Sequence, residues 1–533
     1  MVKPRTRTRQ LVSAGIGLVA AALVVTTTVT ANSGPASGST GKGTLKLVAA
    51  SDTVEVEAWG GEAYVQPSVW LAAYDAAFEF RATQSSYDKP VKLTKTVIRG
   101  KKRTTTTAPA AIVDSMKGFK NGLRVTLKNK AGKVILDEKR PLCPGGYDRQ
   151  RVQTDGATGP VYPEFCGGNW FTKGILYGIE RGMAVPTVSD LGFQTKGETE
   201  LIMTMSIDKP VADFLGLPKS NRTAKQNLVI VDQCPDGNCE GEGEEGVGMG
   251  AMAADGAHGA HDDQGARTVV PRESLEGGEN GRGRLPLGGA RGEIKPGKPK
   301  KDTLPDLISL PAWQISTEVD EGGTDRLNFA ANEWNAGPGP MIVEGFRRGT
   351  APVMDAYQMF YRDGEQVGVK RTGTMEFHEA PEHNHWHFLD FAKYELVDAK
   401  DKVVSTSGKQ SWCLAPTDPV DLTVPGATLR PGQTGLESAC GAKSALWLRE
   451  SMPTGWGDTY DQSQTQAFDL SKVKNGTYRI KVTVNPDGNL YERTRSNNVS
   501  HRTVIIGGKA GARTVKVPPY QGVDTETWWN EEE

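Results

Sequence analysis

The chain has 533 residues, more than one hydrophobic core accommodates, so two or three domains are expected. Its 63 Lys and Arg against 64 Asp and Glu give a formal net charge of −1, which leaves no basic surplus for nucleic-acid binding and excludes a polyanion as the main partner. With 63 Gly and 31 Pro spread unevenly, part of the chain is linker rather than core.

Residues 1–31 read as a signal peptide. Lys3, Arg5, Arg7 and Arg9 form a charged start, residues 11–29 are apolar with some threonine, and Val29-Thr30-Ala31 offers a small-residue cleavage site. A retained anchor is the competing reading, since about 20 apolar residues span a bilayer. Either way the body of the protein is expected outside the cytoplasm, secreted or on the cell surface, with no other membrane contact. Residues 32–44 are a polar flexible segment. Six cysteines suit that compartment, and their grouping as Cys143 with Cys166, Cys234 with Cys239 and Cys413 with Cys440 suggests sequence-local disulfides.

Residues 45–233 alternate apolar and polar side chains in short runs such as "TVEVEAW", "LRVTL" and "ELIMTMSI", broken by turn residues, which predicts an antiparallel β-sandwich of unassigned role. Its "IRGKKRTTTT" stretch reads as an exposed loop. Residues 234–303 change to Gly-rich, acidic and then basic composition, too poor in apolar residues to offset the entropy of ordering, and read as a disordered linker. His258 and His261 in "GAHGAH" are read as linker residues rather than a second metal site, because a flexible segment does not preorganise ligands. Strand patterns return over residues 304–507, with "MIVEGF", "AYQMFYRDGEQVGV" and "GTYRIKVTVNP" separated by turns, and residues 508–533 read as an acidic tail. The expected fold class is therefore all-β throughout.

Three of the seven histidines fall in "EHNHWHFLDF", residues 382–391. On a strand His383, His385 and His387 point to one face, neighbours about 7 Å apart and the outer two about 13 Å apart. A three-histidine metal site therefore needs a bend there, with His378 in reserve. Imidazole-only ligation outside the cytoplasm suits copper or zinc, and the residues do not choose between them. The "HNH" string is not read as a nuclease, since the basic surface such an enzyme needs is missing.

The motifs "EFHEAPEHNHWHFLDFAKYELVD", "GKQSWCL", "GDTYDQSQTQAFDLSKVKNGTYRIKVTVNP" and "NLYERTRSNNV", in that order, resemble the lysyl oxidase family over about residues 304–506. The resemblance implies copper(II) on His383, His385 and His387, and a lysine tyrosylquinone made from Lys409 and Tyr460. It also implies oxidative deamination of primary amines, including peptidyl lysine, by dioxygen, with release of aldehyde, hydrogen peroxide and ammonia. Asp458, two residues from Tyr460 and on the same face of an extended segment, is the candidate general base. One departure stands out: Glu382 occupies the position where animal members commonly carry a cysteine, so a Cys413–Cys440 pairing beside Lys409 is expected instead. Two other readings stay open, a non-catalytic surface module stabilised by metal and a copper monooxygenase without the quinone.

Overall fold

The computed structural model describes residues 44–188, 190–234, 299–379, 384–408, 411–461 and 466–526. The signal segment, the histidines of "GAHGAH" and the tail beyond residue 526 lie outside the described residues, as do His383 and Lys409. The chain is all-β, as its patterning implies. Among the described residues no helix is long and apolar enough to cross a membrane.

In the amino-terminal part, strands such as Ala77–Thr83 and Thr223–Asp232 bury every second residue, because side chains alternate across a pleated strand. The longest sheet there runs in the order Val134–Leu142, Gly118–Asn129, Glu200–Ile207, Thr223–Asp232, Thr53–Trp59, Glu62–Val65, Leu191–Gln194. One pair departs from the expected antiparallel arrangement: Thr223–Asp232 runs parallel to Thr53–Trp59. The "IRGKKRTTTT" stretch is a hairpin rather than a loop, in which Lys92–Arg99 pairs with Lys102–Thr107 across a turn at Gly100 with φ +55°. The threonine run explains this correction, since β-branched residues favour strands even when exposed.

Among the described residues the carboxy-terminal part is built on three sheets. One orders His385–Phe388, Glu365–His378, Val353–Arg362, Met341–Arg347 and Trp447–Met452. A second centres on Asp325–Asn335, which pairs with Trp456–Tyr460. The third runs from Val403–Thr406 through Ala392–Val397, Gly476–Val484 and Val499–Lys509 to Ala512–Lys516. Residues 508–526, the start of the segment read as a tail, thus add an edge strand, and Thr525 is buried with its hydroxyl accepting from Arg502. Disulfides join Cys143 to Cys166 and Cys413 to Cys440, and Cys234 is also disulfide-bonded. Cys239 lies outside the described residues.

Candidate active site

The strand His385–Phe388 is the edge of its sheet, and a tight turn at Asp390, φ +57°, ends it. His385 lies directly opposite His378, and residues opposed in an antiparallel pair share a face. His387, two residues on, points the same way and is fully buried. Its ring centroid is 4.3 Å from that of His378 and 4.7 Å from that of His385. Trp386 points to the other face, where Phe377 meets it edge-on and its indole N–H donates to Ala442 O. The alternation that aims the histidines therefore also anchors the strand.

The Nε2 atoms of His385 and His387 are 2.9 Å apart. One metal ion can contact both nitrogens at ~2.0–2.1 Å across that separation. The two imidazoles are thus placed to share one ion. Among the described residues no three His, Cys, Asp or Glu side chains form a complete metal-holding group, and the third predicted ligand, His383, lies outside them. The remaining ring nitrogen of His387, Nδ1, faces Ser411 Oγ at 3.4 Å.

Ser411 opens the segment that ties the histidines to the tyrosine. Phe388 and Trp412 exchange backbone hydrogen bonds of 2.7 and 3.0 Å, so residues 411–413 run beside the histidine strand. The Trp412 ring then packs on Tyr460 with centroids 4.1 Å apart. Three successive amides of this segment each donate to one acidic or phenolic group: Cys413 N–H to Tyr460 Oη at 3.0 Å, Leu414 N–H to Glu450 Oε2 at 3.1 Å, and Ala415 N–H to Asp458 Oδ2 at 3.3 Å. The Tyr460 hydroxyl also lies 3.3 Å from Cys413 O, to which it donates. Cys413 is held in turn by its disulfide to Cys440, whose carbonyl accepts from Trp386 N–H at 2.9 Å. Lys409 lies outside the described residues, two positions before Ser411.

Asp458 is fully buried within the strand Trp456–Tyr460 and is not a turn residue. Period-two alternation sets it on the face of Tyr460. Glu333, on Asp325–Asn335, is directly opposite it and equally buried, with Tyr394 Oη 3.4 Å from its Oε1. Burial, and next the nearby Asp458, push the Glu333 carboxyl well above the usual range; burial also raises Glu450, partly offset by the Leu414 amide. The Tyr460 phenol is raised strongly, by burial first and then by Asp458, so it stays neutral until something removes its proton. Glu333 and Glu450 are the residues that sequence reasoning missed. The available signal was local: Glu333 precedes Trp334 in "FAANEW", and Glu450 alternates with Leu448 and Met452 in "LWLRESM".

The raised Glu333 carboxyl makes stability depend on pH. Its folded value exceeds the ordinary 4.5, so the folded state holds a proton that the unfolded chain loses above that pH. Its contribution is full below about 4.5 and is lost as pH rises toward the folded value. Glu333→Gln is therefore expected to flatten the decline of unfolding free energy as pH rises above the ordinary carboxylate range. Denaturant melts at several pH values measure it; parallel curves for parent and variant would refute the assignment.

The chain is similar in sequence to known proteins. A sequence model of the family described as lysyl oxidase matches residues 364–514. Protein-lysine 6-oxidase of Sus scrofa is 30% identical over 234 residues, covering 41% of this chain and 83% of that protein. The Homo sapiens protein-lysine 6-oxidase is 30% identical over 234 residues, 41% of this chain and 49% of its own length. Lysyl oxidase homolog 1 of Homo sapiens is 29% identical over 212 residues, 39% and 34% respectively. The chain thus spans most of the pig protein but about half, 49%, of the bovine, chicken and human protein-lysine 6-oxidases.

Proposed function

The chain belongs to the lysyl oxidase family, and from that premise we propose that it is an exported amine oxidase. It converts primary amines, peptidyl lysine among them, to aldehydes with dioxygen, releasing hydrogen peroxide and ammonia. The observation that carries this reading is the junction at Trp412, which pairs with Phe388 beside the histidines and packs on Tyr460. A purely structural metal site has no need of a neutral phenol tethered to the same segment.

In this reading His383, His385 and His387 hold copper(II), and the His378 ring lies tilted against that of His387. Bound copper(II) would supply the one-electron chemistry, with dioxygen as the oxidant, for converting Tyr460 and Lys409 to a lysine tyrosylquinone that would accept the electrons of the amine. The chain's own residues do the rest. Cys413 fixes the phenol oxygen through its N–H and C=O, while the disulfide holds Cys413 itself. Lys409 is two residues from Ser411, so covalent geometry keeps their Cα atoms within about 7.6 Å and the flexible lysine stem reaches further. Asp458, held by the Ala415 amide, is the acceptor for the proton lost from the amine's α-carbon. Glu333 and Glu450 carry protons beside it and so limit the negative charge of the buried cluster.

Amine-dependent peroxide release is the test. The parent is expected to turn over a primary amine and Lys409→Ala to have no activity. An inert parent would favour the metal-stabilised module; turnover retained in Lys409→Ala would favour a monooxygenase without the quinone.

A further inference from the structure

The amino-terminal domain meets the strands of the site along a seam. The segment that pairs with the start of the tyrosine strand, Asp418 opposite Gly457 and Pro419 opposite Trp456, is stitched to the amino-terminal domain by hydrogen bonds. Lys173 N–H donates to Val420 O at 2.9 Å, Leu422 N–H to Gly174 O at 2.8 Å, and Thr172 Oγ1 to Pro419 O at 2.9 Å. A Cβ on Gly174 would collide with the Asp421 and Thr423 side chains, so the approach there requires glycine. Further along, Arg430 donates to Tyr162 O at 3.1 Å and forms a partly buried ion pair with Glu164.

The apolar contacts are continuous across the same seam. Leu422 and Trp456, 2% and 3% exposed, belong to the hydrophobic core of the amino-terminal domain, and Phe165 meets Trp456 edge-on at 5.9 Å. Trp456 is the first residue of the strand that carries Asp458 and Tyr460. A second cluster joins Phe171 to Leu310, Trp313, Trp334 and Val420. Trp334 neighbours Glu333 in sequence and lies opposite Gly457. The strands that bear Glu333 and Asp458 are therefore each backed by an aromatic side chain at the seam, Trp334 in the cluster with Phe171 and Trp456 in the amino-terminal core.

We infer that the amino-terminal domain is a permanent positioning body for the tyrosine strand, rather than a pro-segment released to activate the enzyme. Backbone bonds and a shared core are not surrendered when a connecting segment is cut, and a severed partner with this interface remains docked. Trp456 transmits the support: fixed at the seam, it sets the start of a strand whose fourth residue beyond it is Tyr460. The docking itself stands independently of the amine oxidase reading; only the consequence for quinone formation rests on that reading.

The full chain with a protease site introduced within residues 235–298 tests this. After cleavage, both pieces are expected to co-elute in size-exclusion chromatography at the mass of the uncut protein. In the uncut chain, the double variant Phe165→Ala, Arg430→Ala is expected to raise amide hydrogen exchange in residues 456–460 at least several-fold while leaving residues 476–484 unchanged. It should also slow the appearance of quinone absorption with copper content unaltered. Separation of the cut pieces, or exchange in residues 456–460 that stays at the parent level, would overturn the inference whether or not a quinone forms. Absence of quinone in the parent would count against the oxidase reading alone.

Discussion

Tyr460→Phe is expected to fold, bind copper and have no quinone absorption and no amine turnover. The variant keeps the ring that packs on Trp412 at 4.1 Å, so the core around it is retained. What disappears is the oxygen that receives the Cys413 N–H and donates to its carbonyl. Leaving that buried amide unpaired costs about 1–3 kcal/mol, a lowered but cooperative unfolding transition. The catalytic loss is of another size: without a phenol oxygen no quinone forms, and turnover falls to background, on the order of 10⁶-fold or more. Stopped assays with an amine and peroxide detection, beside thermal melts, separate the two effects. Measurable turnover in Tyr460→Phe would mean that another residue carries the electrons.

His387→Ala is expected to abolish copper retention and, with it, quinone formation. The side chain is fully buried, its Nε2 pairs with that of His385 at 2.9 Å, and its Nδ1 faces Ser411. Loss of a group that merely orients a ligand typically costs 10–100-fold in metal affinity, so loss of the ligand itself should exceed that range. Removing a ring of this size from a packed interior also costs roughly 2–5 kcal/mol. Metal analysis after dialysis, with Tyr460→Phe as the folded reference that keeps its copper, distinguishes lost ligation from general unfolding. Copper bound at the parent level in a folded His387→Ala chain would remove this residue from the ligand set.

Much of this architecture was legible because it is local. Alternation in "ELIMTMSI" gave a strand that buries every second side chain, and the spacing of His385 and His387 gave two rings on one face. Neighbouring cysteines gave the Cys143–Cys166 and Cys413–Cys440 pairs. The segment Asp325–Asn335 was harder, because it is buried on both faces and so lacks alternation. Glu333 in its middle gains meaning only from Asp458, which is 125 positions later in the chain and directly across the strand pair. Glu450 is similar, since its partner is a backbone amide at Leu414. The edge strand Ala512–Lys516 was hidden by the acidic composition of residues 524–533. The seam at Trp456 was hidden too, because a tryptophan reads the same whether it fills its own domain's core or a neighbour's.

The central claim is that Lys409 and Tyr460 become one cofactor. The most direct measurement is peptide mass spectrometry on protein prepared with copper and air, with the visible spectrum recorded on the same sample. A crosslinked peptide pair joining Lys409 to Tyr460, accompanied by quinone absorption, is the predicted result. Uncrosslinked Lys409 and Tyr460 peptides from fully copper-loaded, aerated protein would contradict it.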